Sequence, residues 1–153
     1  MKVKLIANPI ASRFSSRQLK KIENFLRHRA SLDFSITSKK GDAETYARAD
    51  KDSDLIIAVG GDGTINEIIN GIAERETPLA ILPMGMSDVL ATELKIPVDI
   101  EKALNIALTK PPRKVSLGMI NGRYFAAMVG IGFDAEAVFH VNPKTKPIFC
   151  EGA

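Results

Sequence analysis

Apolar and polar positions along this chain follow two alternating rhythms. Val3–Ala7 is a short apolar run closed by Asn8-Pro9, which predicts a buried strand and a turn. Over Ser15–Arg29 the apolar residues Leu19, Ile22, Phe25 and Leu26 recur at helical spacing, with basic residues between them. Leu32–Ile36 alternates as a second strand, and Asp42–Ala49 follows Gly41 as a helix. Leu55–Val59 is apolar throughout, the pattern of a strand covered on both faces. Thr64–Ala73 then predicts a helix and Leu79–Leu82 a strand. Ser87–Leu94 predicts a helix that stops before Pro97, and Asp99–Leu108 a helix capped by Asp99.

After Pro111-Pro112 the rhythm changes. Val115–Ile120 and Tyr124–Val129 flank Asn121-Gly122, a dipeptide suited to a tight hairpin, and Ala135–Val141 begins another helical pattern. Up to the prolines, strand and helix alternate, which predicts an α/β fold: an open, mostly parallel sheet with helices on both faces. The pattern reads as one domain, with the hairpin leading towards a second structural unit.

Composition excludes more than it specifies. The 153 residues carry a formal net charge of +3, too small a bias to point to nucleic acid. With 6% aromatic residues and no Trp there are few platforms for stacking bases. No apolar run approaches the roughly 18–20 residues that cross a bilayer, and Met1–Ala7 lacks the apolar stretch of a secretion signal. Cys150 is the one cysteine, so an internal disulfide is excluded and a reducing, cytoplasmic setting is expected. His28 and His140 read as surface residues, and Met84, Met86, Met119 and Met128 as packing residues. Arg13, Arg17, Lys20, Lys21, Arg27 and Arg29 make the first helical stretch basic, either as a solvated face or as an attraction to an anionic membrane.

The chemistry concentrates where Leu55–Val59 turns into the next helix. Gly60, Gly61 and Gly63 stand at this strand end, and in open α/β sheets ligands collect at such ends. Glycine admits a ligand to the backbone with no Cβ in the way, and a helix start offers unpaired N–H groups that favour phosphate. Thr64 can donate a hydroxyl there, or cap the helix with Glu67 three residues on. Asp62 is the odd member, because a carboxylate repels phosphate unless a metal or an orienting hydrogen bond uses it. A plain strand–helix turn with Asp62 as a cap is the other reading of these residues. Neither the Gly-x-Gly-x-x-Gly nucleotide pattern nor a P-loop is present.

The longer string Gly60-Gly61-Asp62-Gly63-Thr64-Ile65-Asn66-Glu67-Ile68-Ile69-Asn70-Gly71 resembles the signature of the diacylglycerol kinase catalytic domain, found in bacterial lipid kinases and in sphingosine and ceramide kinases. NAD kinases and phosphofructokinases share only its Gly-Gly-Asp-Gly core. Asn8-Pro9 is similar to the family's opening motif, although the glycine usual soon afterwards is missing from Ile10–Arg13. Thr37, before Lys40-Gly41-Asp42-Ala43, matches a nucleotide-contacting threonine. Leu82-Pro83-Met84-Gly85, followed by Val89-Leu90-Ala91 and Glu93-Leu94, resembles the family's Pro-x-Gly-Thr-x-Asn block. Gly130–Ala135 resembles the segment leading to a second lobe, which implies a nucleotide-binding domain over 1–135 and, in 136–153, the truncated start of that lobe or a divergent tail.

The resemblance implies ATP with Mg²⁺ bound by Asn8, Thr37, Gly60, Gly61, Asp62, Gly63, Thr64, Asn66, Glu67, Gly85 and Met86, with Asp62 as the candidate metal contact. It implies direct phosphoryl transfer from ATP to a lipid hydroxyl of diacylglycerol type, in the cytoplasm or peripherally at the inner membrane face. Nucleic acid is not expected as a partner, and a homo-oligomer stays open. Two departures bear on activity. Met86 replaces a threonine expected to contact the phosphates, and Asp88 replaces a neutral asparagine, which would add negative charge beside them. The family's general base and structural metal site are implied in a β-rich C-terminal lobe, whereas this chain stops at Ala153 and Lys146–Ala153 does not resemble the continuation. No catalytic residue is therefore expected here beyond Asp62 in support, and the chain alone is expected to be inactive. A catalytically dead remnant that binds a nucleotide or a partner protein is the alternative, and NAD kinase-like transfer a third.

Overall fold

The computed structural model describes residues 1–132 and 135–136. Four parallel strands, β1 (Lys2–Ala7), β2 (Ser31–Ile36), β3 (Leu55–Gly60) and β4 (Leu79–Pro83), form one sheet in the order β2-β1-β3-β4. The chain leaves β1 for β2 through α1 (Ser16–Leu26) and crosses back through α2 (Asp42–Ala49) to β3, on the far side of β1. It continues through α3 (Asp62–Ile72) to β4. Parallel crossovers are right-handed, so the reversal of direction sends α1 to one face of the sheet and α2 and α3 to the other.

Packing follows that division. On one face Val3, Leu5, Ile57, Val59 and Leu82 meet Ile22 and Leu26 of α1, with Ala103 and Leu104 of α5 (Ile100–Thr109). On the other, Ile6, Ile56, Ala58 and Ile81 meet Ala43 and Ala47 of α2, Ile65 and Ile68 of α3, and Ala91 of α4 (Val89–Glu93). Alternate residues of β1 and β3 serve opposite faces, and β3 is buried at every position. The expected open parallel sheet with helices on both faces is what forms.

Several boundaries differ from the sequence pattern. Ser15 caps α1, its Oγ accepting the Gln18 N–H at 3.2 Å, and the helix ends at Leu26, so Arg27 and Arg29 lie beyond it. Helix α3 begins at Asp62, two residues earlier than the apolar spacing predicts, and α4 is shorter than Ser87–Leu94. Asp99 caps α5 as expected, its Oδ1 accepting the Lys102 N–H at 2.8 Å. The hairpin contracts to β5 (Gly118–Ile120) and β6 (Arg123–Phe125) around Asn121 and Gly122, whose φ values of 48° and 72° supply the two positive angles the turn needs. Ala127 at φ 71° takes the chain out of the strand pattern. Of the four methionines read as packing residues only Met84 is buried; Met86, Met119 and Met128 are exposed. His28 is exposed, as expected, whereas His140, Cys150 and all of Ala135–Val141 except Ala135 and Glu136 lie outside the described residues.

Candidate functional site

The sheet order reverses between β1 and β3, and the segments leaving their carboxyl ends part towards opposite faces. A crevice at such a switch point is where open α/β sheets bind ligands. One residue ties the two strand ends together, through its backbone and its side chain. Asn8 donates its N–H to the Val59 carbonyl at 2.9 Å and its Nδ2–H to Thr64 Oγ1 at 2.9 Å, while Asn8 Oδ1 accepts the Ile10 N–H at 3.1 Å. Thr64 is thus a buried prop in the first turn of α3, and it does not cap that helix. The capping reading of Thr64 and Glu67 is corrected: Gly61 is the N-cap and has no side chain to bond with.

The glycines of this turn fall into two kinds. A Cβ placed on Gly60 would stand 2.8 Å from Thr64 Oγ1, and one on Gly61 would stand 2.9 Å from the Gly85 Cα. A Cβ on Gly85 would stand 2.7 Å from the Gly61 Cα. Contacts that short leave no room for a side chain: Gly61 and Gly85 let the turn after β3 touch the turn after β4, and Gly60 lets Thr64 of α3 fold back against the end of β3. Gly63 differs, because nothing among the described residues lies within 4 Å of a Cβ there and the residue is exposed. Packing does not require it. The helical ladder begins with the Ile65 N–H on the Gly61 carbonyl at 3.1 Å, so the amides of Asp62, Gly63 and Thr64 precede it at the positive end of α3.

Asp62 serves a neighbouring helix. Its Oδ2 accepts the Val89 N–H at 3.1 Å and its Oδ1 the Leu90 N–H at 3.2 Å, at the start of α4. This is the orienting hydrogen bond that reconciles a carboxylate with an anion-favouring turn, and each oxygen keeps a further lone-pair direction. Asp88 also differs from expectation. Its carboxylate is buried, with Oδ1 accepting the Gly85 N–H at 2.9 Å and Oδ2 paired with Arg13 Nη2. The charge expected beside the phosphates is therefore neutralised. Arg13 precedes α1 and belongs to this pair, not to the basic helix.

The far wall of the site rides on the other end of α3. Asn70 Nδ2 donates to the Tyr124 carbonyl at 2.9 Å and the Tyr124 N–H donates to Asn70 Oδ1 at 2.9 Å, so the side-chain amide pairs with β6 as a strand would. Arg123 meets Glu44 of α2 at 2.9 Å. Burial works to raise the Glu44 carboxyl, but hydrogen bonds from Arg123 and Arg48 outweigh it and hold the group below the ordinary carboxylate range. The docked hairpin and the residues after it face Asp62, Gly63, Asn66 and Val89 across a cleft of about 490 Å³.

The residues singled out in the sequence stand in strand order along one edge: Thr37 after β2, Asn8 after β1, Gly60–Thr64 around the end of β3, and Gly85 and Met86 after β4. Thr37 is buried, its N–H donating to the Ala7 carbonyl at 2.9 Å. Asp62, Gly63 and Asn66 line the cleft, whereas Glu67 is half-buried outside its lining. Among the described residues no group of three or more His, Cys, Asp or Glu is placed to hold a metal ion, and no helix is long and apolar enough to cross a membrane. Sequence reasoning missed the roles of Arg13 and Asn70. Asn70 carried a signal, since it closes the Gly60–Gly71 string; Arg13 carried none, because its partner lies 75 positions away.

Comparison with known proteins places this geometry. The model of the diacylglycerol kinase catalytic domain matches residues 2–120. A diacylglycerol kinase of Bacillus subtilis is 34% identical over 95% of this chain and 50% of its own length, and one of Staphylococcus saprophyticus is 37% identical over 73% of this chain and 38% of its own. A crystal structure of a diacylglycerol kinase from Bacillus anthracis superposes with a TM-score of 0.73 at 35% identity, covering 81% of this chain and 45% of the other. The chain therefore spans about half the length of the relatives it matches. On the matched span, the fold and the identity together, it belongs to the diacylglycerol kinase catalytic domain family.

Proposed function

We propose that this chain is the nucleotide-binding part of an ATP-dependent lipid kinase, with residues 1–135 as the nucleotide domain and a diacylglycerol-type hydroxyl as the acceptor. The observation that carries the reading is Gly63, a glycine in the first turn of α3 that no packing contact requires, beside amides that precede the helical ladder. A phosphate has the charge and the size to use that space. Bound there, Mg²⁺-ATP would supply the phosphoryl group and a cation that offsets its charge.

The chain's own residues bind and orient. The amides of Asp62, Gly63 and Thr64 donate towards the anion. Asn8 fixes Thr64 and with it the first helical turn, and the Gly61–Gly85 contact keeps the two turns together. Asp62 lines the cleft, and its remaining lone pairs suit a metal ion or its water. The membrane side of the reading rests on exposed Arg17, Lys20, Arg27 and Arg29 in and after α1, at about 1 kcal/mol per basic residue near an anionic surface. A second reading, nucleotide binding without transfer, is favoured by Met86: it is 45% exposed on the turn and its thioether has no proton to donate.

Calorimetric titration with Mg²⁺-ATP tests the proposal. Saturable binding that weakens in Asp62→Ala is expected, and no heat from a folded sample overturns it. Labelled ATP offered with diacylglycerol vesicles and NAD then separates acceptors. Label on NAD and none on lipid would overturn the lipid assignment, and binding without transfer to either would favour the second reading.

A further inference from the structure

The pair Arg13–Asp88 sits directly behind the turn at the start of α3. Asp88 is 4% exposed and takes a left-handed backbone at φ 45°, a conformation that Asp and Asn tolerate better than most residues. One of its oxygens accepts the Gly85 N–H and the other meets Arg13, which also donates Nε–H to the Gly85 carbonyl at 2.8 Å and its backbone N–H to the Met84 carbonyl at 2.9 Å. Asp88 Oδ1 lies 3.8 Å from where a Cβ on Gly61 would stand. A carboxylate buried this way needs a cation. That cation keeps 41% of its side chain exposed on the turn after β4, which touches the start of α3 at Gly61.

We infer that Asp88 holds Arg13 back from the phosphates, so that this pair is a self-competing anion contact setting the nucleotide affinity of the chain. The inference rests on the proposed nucleotide site. Asp88→Asn keeps an acceptor for the Gly85 N–H and a residue suited to φ 45°, but releases Arg13. Arg13→Gln leaves the Asp88 charge unneutralised beside the turn. The two variants therefore act in opposite directions on binding, whereas a clamp of purely structural value would weaken binding in both.

The test is titration of the full chain with Mg²⁺-ATP, at low and at physiological salt, for the natural protein, Asp88→Asn, Arg13→Gln and the double variant, each with its melting temperature. Asp88→Asn is expected to bind about three- to tenfold tighter, with a steeper loss of affinity as salt rises. Arg13→Gln is expected to bind at least about fivefold weaker and to melt lower, with the double variant back within about threefold of the natural chain. An Asp88→Asn protein that binds no tighter than the natural chain overturns the inference, whether or not the natural chain binds. If the natural chain binds nothing and Asp88→Asn binds, the functional proposal fails for the natural chain and the inference stands. If Asp88→Asn does not fold, the salt dependence of Arg13→Gln decides: a loss of affinity that shrinks as salt rises upholds the inference, and an unchanged affinity, or an equal loss at both salts as a purely structural clamp would give, overturns it.

Discussion

The two ends of α3 carry glycine for opposite reasons. At the C-terminal end a Cβ on Gly71 would stand 2.8 Å from Ala47 Cβ and from the Glu44 carbonyl oxygen, and 3.0 Å from the Arg48 nitrogen. That glycine is accounted for by the fold, because it lets α2 and α3 approach backbone to backbone. At the N-terminal end a Cβ on Gly63 would meet nothing within 4 Å. A helical glycine costs about 0.5–1 kcal/mol relative to alanine, and at Gly63 no neighbour accounts for that cost. One end of the helix is shaped by what packs on it. The other, we propose, is shaped for something that is not part of the chain.

Perturbing the packed end should give the largest loss of stability. Gly71→Ala must push α2 away from α3, at about 1–3 kcal/mol for overpacking, seen as a lower melting temperature. A variant that melts like the natural protein would remove the packing explanation for Gly71. Next comes Asn70→Ala, which strips the Tyr124 N–H and carbonyl of their partners. A loss of about 1–2 kcal/mol is expected. Hydrogen exchange at the Tyr124 amide should accelerate while nucleotide binding at the other end of the helix changes little. Equal exchange in both proteins would mean that Asn70 does not dock the hairpin.

The smallest effect concerns acid. Asp42, the first residue of α2, accepts the Ser38 N–H at 2.8 Å, the Ser38 hydroxyl at 2.8 Å and the Lys39 N–H at 3.0 Å. The Ser38 N–H first, then its hydroxyl, hold the Asp42 carboxyl below its ordinary value. A carboxyl depressed in the folded state gives stability that is fully present above its unfolded value and is lost as pH falls through the folded one. Thermal melts of Asp42→Asn should therefore show a shallower decline on the acid side than the natural protein. An identical acid limb would show that Asp42 does not contribute to it.

How much of this was legible in the sequence depends on how local each cause is. The unbroken apolar run of β3, the Asp99 cap and the Asn121-Gly122 turn announce themselves because each is fixed by neighbours in sequence. The start of α3 does not. Asp62 and Gly63 are poor helix formers and look like loop, yet they form its first turn, where the Asp62 carboxylate is held by the amides of α4, 27 and 28 positions on. Asp88 looked like surplus negative charge for the same reason, since only the fold brings Arg13 to it. Met119 and Met128 looked like core, because hydropathy gives a residue's preference but not whether anything covers it. The glycine string stands out by residue type and spacing, and Asn8 through the family resemblance, while its hold on Thr64 is visible only in the fold. Which of those glycines faces open space could be read only from the fold.

Gly63→Ala is the decisive substitution, with melting temperature and Mg²⁺-ATP affinity measured on the same preparation. Stability should hold or rise, by up to about 0.5–1 kcal/mol, because alanine suits a helix and meets no neighbour there. Affinity should fall at least about tenfold, some 1.4 kcal/mol, because the new methyl group occupies the space assigned to phosphate. A variant that gains stability and binds nucleotide as tightly as the natural protein would contradict the phosphate site at the start of α3.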